Sequence, residues 1–238
     1  MQAPLQSELN TAPAAEPRQD MIPASQPERL QLQLWLPGDP QRPAAEAFIR
    51  ARFQDIYAAD ICVFHPYLLG VTRGDQSITS VIGFRLAGSG QFFLESYLDG
   101  SAEQLLSDAT GEDIQRQQVV EVGNLASSDT ESFRFLMIGL ITLLEHLPET
   151  RWMVCTVGEK LIRLLRRTRF FPIIINQASA ERLSPEDGKW GSYYQHARSV
   201  VAGNVAYGMR ELKRQNIWRP EFADRVEQIL QHRFVSQS

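Results

Sequence analysis

The 238-residue sequence predicts an α/β domain with a mixed central sheet and helices on both faces, preceded by a disordered tail. Three observations carry this. Apolar side chains alternate with a two-residue period in several short segments; longer segments with helical spacing follow some of them; and a polar leader precedes the first. That leader, Met1 to Glu28, is rich in Pro, Gln and Ala and poor in large apolar residues, so it buries too little surface to offset the entropy of ordering it.

The first strand is read from Leu30, Leu32, Leu34 and Leu36, which alternate with Gln31, Gln33 and Trp35 and stop at Pro37-Gly38. A helix follows from Pro43 through Tyr57, because Ala47, Phe48, Ala51 and Ile56 recur near helical spacing and Pro is favoured in a first turn. Ser77 to Ala87 and Gln91 to Leu98 read as two antiparallel strands joined by Gly88-Ser89-Gly90. Val119 to Leu125 is a central strand. Asp129 or Thr130 caps the helix expected from Glu131 to Leu147, which ends before Pro148. Trp152 to Val157 is the next strand, and Glu159 to Arg169 an amphipathic helix burying Leu161, Leu164 and Leu165. Strands at Ile173 to Asn176 and Ser199 to Tyr207 complete the sheet. Phe222, Val226, Ile229 and Leu230 then give a helix that packs on the domain or on a second copy in a homodimer. The expected divisions are a tail at 1–28, a main domain at 29–212 and a C-terminal helical extension at 213–238.

A net charge of −4 argues against a nucleic-acid binder that relies on neutralising phosphates. The N-terminus lacks the basic start and apolar stretch of a secretory signal, so a cytoplasmic location is expected. Phe135 to Leu144 is about half the length of a membrane span and reads as a buried helix, not an integral-membrane segment. Cys62 and Cys155 have neither metal nor redox spacing and are expected to be reduced core residues. The four histidines show no metal-ligand spacing, so no metal is expected.

The segment Glu121-Val-Gly-Asn-Leu-Ala126, together with Gly83-Phe-Arg85, Phe93-Leu-Glu-Ser-Tyr-Leu-Asp99 and Trp190-Gly-Ser-Tyr-Tyr194, resembles the thermostable hemolysin family over roughly residues 45 to 212. That family looks like a relative of the acyl-homoserine-lactone synthases and implies the GNAT acyltransferase fold. The resemblance implies that an acyl thioester lies between two splayed strands, Val119 to Leu125 and Trp152 to Val157, where backbone amides polarise its carbonyl. It implies no tightly bound cofactor. An acyl carrier protein or CoA would bring the acyl group as co-substrate.

Alternation places Gly83 and Arg85 on one face of their strand, groups Phe93, Glu95 and Tyr97 on the next, and puts Val119, Glu121 and Gly123 together. Arg85, Glu95 and Glu121 then converge if the register permits. Lactone synthases hold and deprotonate an amine with a comparable Arg and acidic residues, which marks Arg85 and Glu95 as substrate-binding and Glu121 as catalytic. A carboxylate between Val120 and Val122 is costly to bury ionised, and burial moves its pKa toward that of a general base. A structural Arg–Glu pair is the alternative. Gly123 and Asn124 replace the Ser and Arg of the lactone synthases, which points to a neutral acceptor oriented by Asn124; a strand-end bulge is the other reading.

Where the usual acyl-CoA enzymes carry a glycine-rich pyrophosphate cradle, this chain has Ser127-Ser128-Asp129-Thr130-Glu131, whose acids repel phosphate. Lys160, Arg163, Arg166, Arg167 and Arg169 crowd the following helix. Docking of an acidic acyl carrier protein is one reading of this patch and a solvated helix face the other. Thr156 either hydrogen-bonds substrate or is a simple strand former. Trp190, Tyr193 and Tyr194 wall a pocket or pack the core, with the Tyr194 hydroxyl a proton donor in the first case and Tyr97 beside the substrate. The function expected is acyl transfer from a carrier thioester to a small amine or hydroxyl acceptor. A membrane-active hemolysin and a non-catalytic acyl-binding module are the alternatives.

Overall fold

The computed structural model describes residues 29–183 and 189–232. The expected tail at 1–28 lies outside them. In chain order the elements are β1 (Gln31–Trp35), α1 (Arg42–Tyr57), β2 (Tyr67–Thr72), β3 (Ile78–Leu86), α2 (Ala102–Thr110), β4 (Val119–Ser127), α3 (Thr130–His146), β5 (Trp152–Gly158), α4 (Glu159–Arg167), β6 (Ile173–Ala178), β7 (Arg198–Asn204), α5 (Val205–Arg214) and α6 (Pro220–Leu230). One mixed sheet results, ordered β1-β2-β3-β4-β5-β7-β6. Its single parallel pair is β4 with β5, which needs the long crossover that α3 supplies.

Helices cover both faces. On one, Leu136, Leu140 and Leu143 of α3 pack on Ile82, Phe84, Val120 and Val122, and Val226 and Ile229 of α6 join the same cluster. On the other, α1 sets Ile49 and Phe53 against Leu68 and Val81, and α2 sets Leu106 against Val119 and Val154. Asp129 caps α3 by accepting the Ser132 N–H at 2.8 Å, which satisfies one of the bare donors of the first turn. Among the described residues, no helix is long and apolar enough to cross a membrane.

The expected strand at Gln91 to Leu98 is not formed. Phe93–Tyr97 is a tight 3-10 turn, and the antiparallel neighbours of β3 are β2 and β4. The Glu95 carboxylate explains this, since it accepts the N–H groups of Phe92 and Ala102, each at 2.9 Å. These local side-chain bonds hold the backbone in a turn and compete with a ladder. Strand β2 and helix α2 escaped the sequence reading. The last strand also stops early: Asn204 accepts the Tyr207 N–H at 2.9 Å and starts α5 where the strand was expected to continue.

Two irregularities open the middle of the sheet. Between Val81↔Ala126 and Gly83↔Gly123, β4 advances three residues while β3 advances two. Asn124 sits in this bulge at φ 50°, a left-handed conformation that Asn tolerates better than most residues. On the other side, β4 pairs with β5 only from Val119↔Trp152 to Val122↔Cys155. Beyond that point β5 stays with β7 as far as Gly158↔Arg198. The two central strands therefore fork.

Candidate active site

A cleft of about 840 Å³ occupies the fork and opens to both faces of the sheet. On the α3 face its wall is apolar, with Val122, Leu125, Met137, Leu140 and Met153. The opposite face carries the polar and aromatic groups, among them His65, Arg85, Glu121, Trp190, Tyr193 and Tyr194. The asymmetry suits a ligand with an apolar chain and a polar reacting end.

Glu121 stands at the apex of the fork and is 2% exposed. It is the register partner of Arg85, as strand alternation anticipated, with Arg85 Nε 3.7 Å from Oε2. The tight turn caps it from the other side: Phe93 N–H donates to Oε2 at 2.9 Å and Leu94 N–H to Oε1 at 2.7 Å. Burial nevertheless wins over these donors and over Arg85, and lifts the carboxyl pKa to about 7. A carboxyl poised there exchanges a proton near neutrality, as a general base must.

His65 is the principal residue the sequence reading missed. Its Nδ1 lies 3.8 Å from Glu121 Oε2, and desolvation, aided by Arg85, lowers its pKa to about 3, so the imidazole stays neutral. The ring fills the space left by two glycines. A Cβ on Gly123 would stand 2.4 Å from His65 Nε2, and one on Gly83 would stand 2.9 Å from His65 Cβ. Those paired glycines mark a close approach in the sequence, but nothing local names the side chain that makes it.

Asn124 holds this arrangement. Its Oδ1 accepts the His65 N–H at 2.8 Å and its Nδ2 donates to the Val63 carbonyl at 3.2 Å, so both ends of the amide tether the 63–65 segment. Arg42 fixes the same segment by donating to the His65 and Pro66 carbonyls at 2.8 and 2.6 Å.

The structure brings Gly123, Asn124, Thr156, Trp190, Tyr193, Tyr194 and Tyr97 into the cleft with Arg85 and Glu121. Tyr97 and Tyr194 share a hydrogen bond between their hydroxyls. Burial pushes the Tyr193 hydroxyl pKa up. Glu95 is not in the cleft wall; its carboxylate pairs with Arg116, which lies over the Phe92 ring. Lys160 and Arg163 reach the cleft, and Arg163 pairs with Glu159 at 2.6 Å. Arg166, Arg167 and Arg169 are exposed outside it. Of the two cysteines expected in the core, Cys62 is exposed, because it lies in the irregular segment before β2; Cys155 is half-buried in the cleft. Burial raises the Cys155 thiol pKa to about 12, which removes it as a nucleophile near neutrality.

Among the described residues, three buried polar atoms of the cleft have no hydrogen-bond partner: His65 Nδ1, Arg85 Nε and Trp190 Nε1. Such groups are rare in folded proteins and cost stability unless something binds them. Two of them flank Glu121. At the N-terminus of α3, by contrast, Asp129 is satisfied by Ser128, Ser132 and Arg73, and Arg73 also reaches Glu131 at 3.7 Å.

A family model described as thermostable hemolysin matches residues 36–209. Among solved structures the chain is similar to FeeM, an N-acyl amino acid synthase from uncultured soil microbes, at 16% identity and a TM-score of 0.51, covering 76% of this chain and 93% of that one. It is also similar to LasI, an AHL synthase, at 11% identity and a TM-score of 0.49, covering 75% and 91%. MesI, a CoA-dependent acyl-homoserine lactone synthase, gives 15% identity and a TM-score of 0.47, covering 83% and 94%. No curated protein sequence matches. The first likeness shows the fold to be GNAT-like.

Proposed function

The chain belongs to the thermostable hemolysin family, and from that membership and the forked cleft we propose that it is an acyltransferase, moving an acyl group from a carrier thioester to a small amine or hydroxyl acceptor. The observation that carries the proposal is Glu121: a buried carboxyl with a pKa near 7, at the apex of a fork whose two sides differ in polarity. The fold is shared with an N-acyl amino acid synthase, and joining an acyl group to an amine is the chemistry that name states.

In this reading the acyl chain lies on the α3 face and the thioester sits at the fork, beside the β4 edge that has no β5 partner beyond Val122. The acceptor enters on the aromatic face and attacks the thioester carbon. Its proton passes to Glu121 as the new C–N or C–O bond forms; the C–S bond then breaks and the thiolate leaves, taking up a proton in turn. Neutral His65 orients the acceptor, and Arg85 steadies the carboxylate form of Glu121.

An acyl carrier protein is the proposed donor. The N-terminus of α3, the place of the glycine-rich pyrophosphate cradle in the usual acyl-CoA acetyltransferases, is filled by the Asp129 cap and by Arg73. Outside the cleft, Arg166, Arg167 and Arg169 present a basic surface to an acidic partner.

The test is incubation with acyl carrier proteins and acyl-CoAs of several chain lengths in the presence of candidate amines and alcohols, with mass spectrometry of both carrier and small molecules. Loss of the acyl mass from the carrier with a matching new amide or ester supports the proposal. Binding without turnover makes the protein an acyl-binding module, and leakage of vesicles with no thioester present returns the lytic activity that the family name suggests.

A further inference from the structure

Arg198, at the start of β7, is 9% exposed and has no ion pair among the described residues. Its Nε donates to the Tyr193 carbonyl at 2.9 Å, and the guanidinium lies 4.0 Å from the Tyr193 ring centroid and 5.3 Å from that of Tyr57. Among the described residues no hydrogen bond engages its two terminal nitrogens. Aromatic faces and one carbonyl hold the group in place without neutralising it, and a buried cation is normally matched by an anion.

Among the described residues the surroundings lack that anion but favour one. Arg198 is the register partner of Gly158, and a Cβ on Gly158 would stand 2.3 Å from Nη1, so the strand leaves this nitrogen its space by carrying a glycine. Gly158 is also the N-cap of α4 and makes no side-chain cap, so among the described residues the first amides of α4 lie uncapped beside the guanidinium. Lys160 and Arg163 line the same cleft; Glu159 also lines it, but its carboxylate is taken by Arg163.

We propose that Arg198, with Gly158 and the opening turn of α4, forms an oxyanion-binding site at the open end of the fork, which holds an anionic group of one of the two substrates. The inference rests on the acyltransferase reading of the cleft. Two groups have the required chemistry: a carboxylate on the acceptor, and the phosphate of the pantetheine arm that bears the thioester. Arg198 shares the sheet face of Glu121 by strand alternation, which suits the first; the fork mouth, where a long arm enters, suits the second.

Calorimetric titration of the full chain separates them. N-octanoylglycine is compared with the neutral N-methyloctanamide, and phosphopantetheine with pantetheine. In at least one pair the anionic member binds about tenfold or more tightly, and the pair that shows the gap identifies the source. Arg198→Met closes the gap without changing the neutral member's affinity, and Gly158→Ala, which displaces the guanidinium while leaving it in the chain, narrows it. Arg198→Lys keeps part of it and serves as the charged control if Arg198→Met does not fold. Equal affinities within both pairs, no binding by any of the four, or a gap that survives both Arg198→Met and Gly158→Ala overturns the site. Acyl transfer without anion preference defeats this site alone, whereas anion preference without acyl transfer defeats only the proposed activity.

Discussion

The Glu121 carboxyl and the His65 imidazole face each other at 3.8 Å in a buried setting that disfavours charge on either. Their effects on stability run in opposite directions. The folded state holds the Glu121 proton up to about pH 7 against 4.5 when unfolded, so its contribution is complete below 4.5 and is lost as pH rises through 7. His65 has a folded pKa near 3 against 6.5, so its contribution is complete above 6.5 and is lost as pH falls toward 3. Between 4.5 and 6.5 each is worth on the order of 2 to 3 kcal/mol and the two oppose. Urea unfolding across that window is expected to give a flat profile for these two groups in the wild type. It should fall with pH in His65→Asn and rise with pH in Glu121→Gln. Parallel profiles in both variants would remove the assignment.

Gly123 controls the position of that imidazole. Gly123→Ala places a methyl group where His65 Nε2 stands, and the ring cannot retreat easily because its Cβ already abuts Gly83. The expected cost is about 1–3 kcal/mol in urea unfolding, typical of overpacking, together with loss of acyl transfer. Adding His65→Ala should restore stability and leave activity lost. If the double variant regains activity, His65 has no part in the chemistry.

Much of this fold was legible because its elements obey one period each. The alternation at Leu30 to Leu36 gave β1, the cap at Asp129 and the stop at Pro148 gave α3, and strand alternation allowed Arg85 and Glu121 to converge, which the register does by making them partners. Strand β2 was not legible: Tyr67–Thr72 is largely buried on both faces, so its sequence does not alternate. The spacing of Phe93, Glu95 and Tyr97 imitates a strand, yet the Glu95 carboxylate holds the segment in a turn by accepting the Phe92 and Ala102 amides, and the Arg116 that neutralises this carboxylate lies more than twenty residues away. His65 and Arg198 depend on facing glycines in other strands, a relationship that only the assembled sheet displays.

The pair of Glu95 and Arg116 should act on Glu121 at one remove. It anchors the turn whose Phe93 and Leu94 amides lower the Glu121 pKa against the effect of burial. Arg116→Ala leaves the buried Glu95 without its cation and is expected to cost about 3 kcal/mol, at the low end for broken buried pairs because Arg116 is partly exposed. As the amides lose alignment, the pH at which activity rises should move upward. Loss of stability with an unmoved pH profile would leave the pair a purely structural role.

Carrier choice should read out on the outer face of α4. Reversing Arg166 and Arg167 to Glu, while sparing the cleft residue Arg163, is expected to reduce use of acyl carrier protein by about tenfold at low salt and by less at high salt, because exposed charges are screened over about 10 Å at 0.1 M. A short thioester mimic should be processed unchanged. Equal losses with carrier and mimic would show damage to the cleft, and acyl-CoA turned over more efficiently than acyl carrier protein would overturn the choice of donor.

The most direct test of the central claim is the single-turnover rate of acyl transfer, measured against pH for the wild type and for Glu121→Gln. The Gln side chain keeps the size of Glu and cannot take up the acceptor's proton. The wild-type rate is expected to climb with pH as Glu121 ionises and to level off above an inflection near 7. Glu121→Gln should fold, bind the acyl thioester and transfer about a hundredfold to ten-thousandfold more slowly, with that inflection gone. Transfer by Glu121→Gln at the wild-type rate, with the inflection unchanged, would contradict the account.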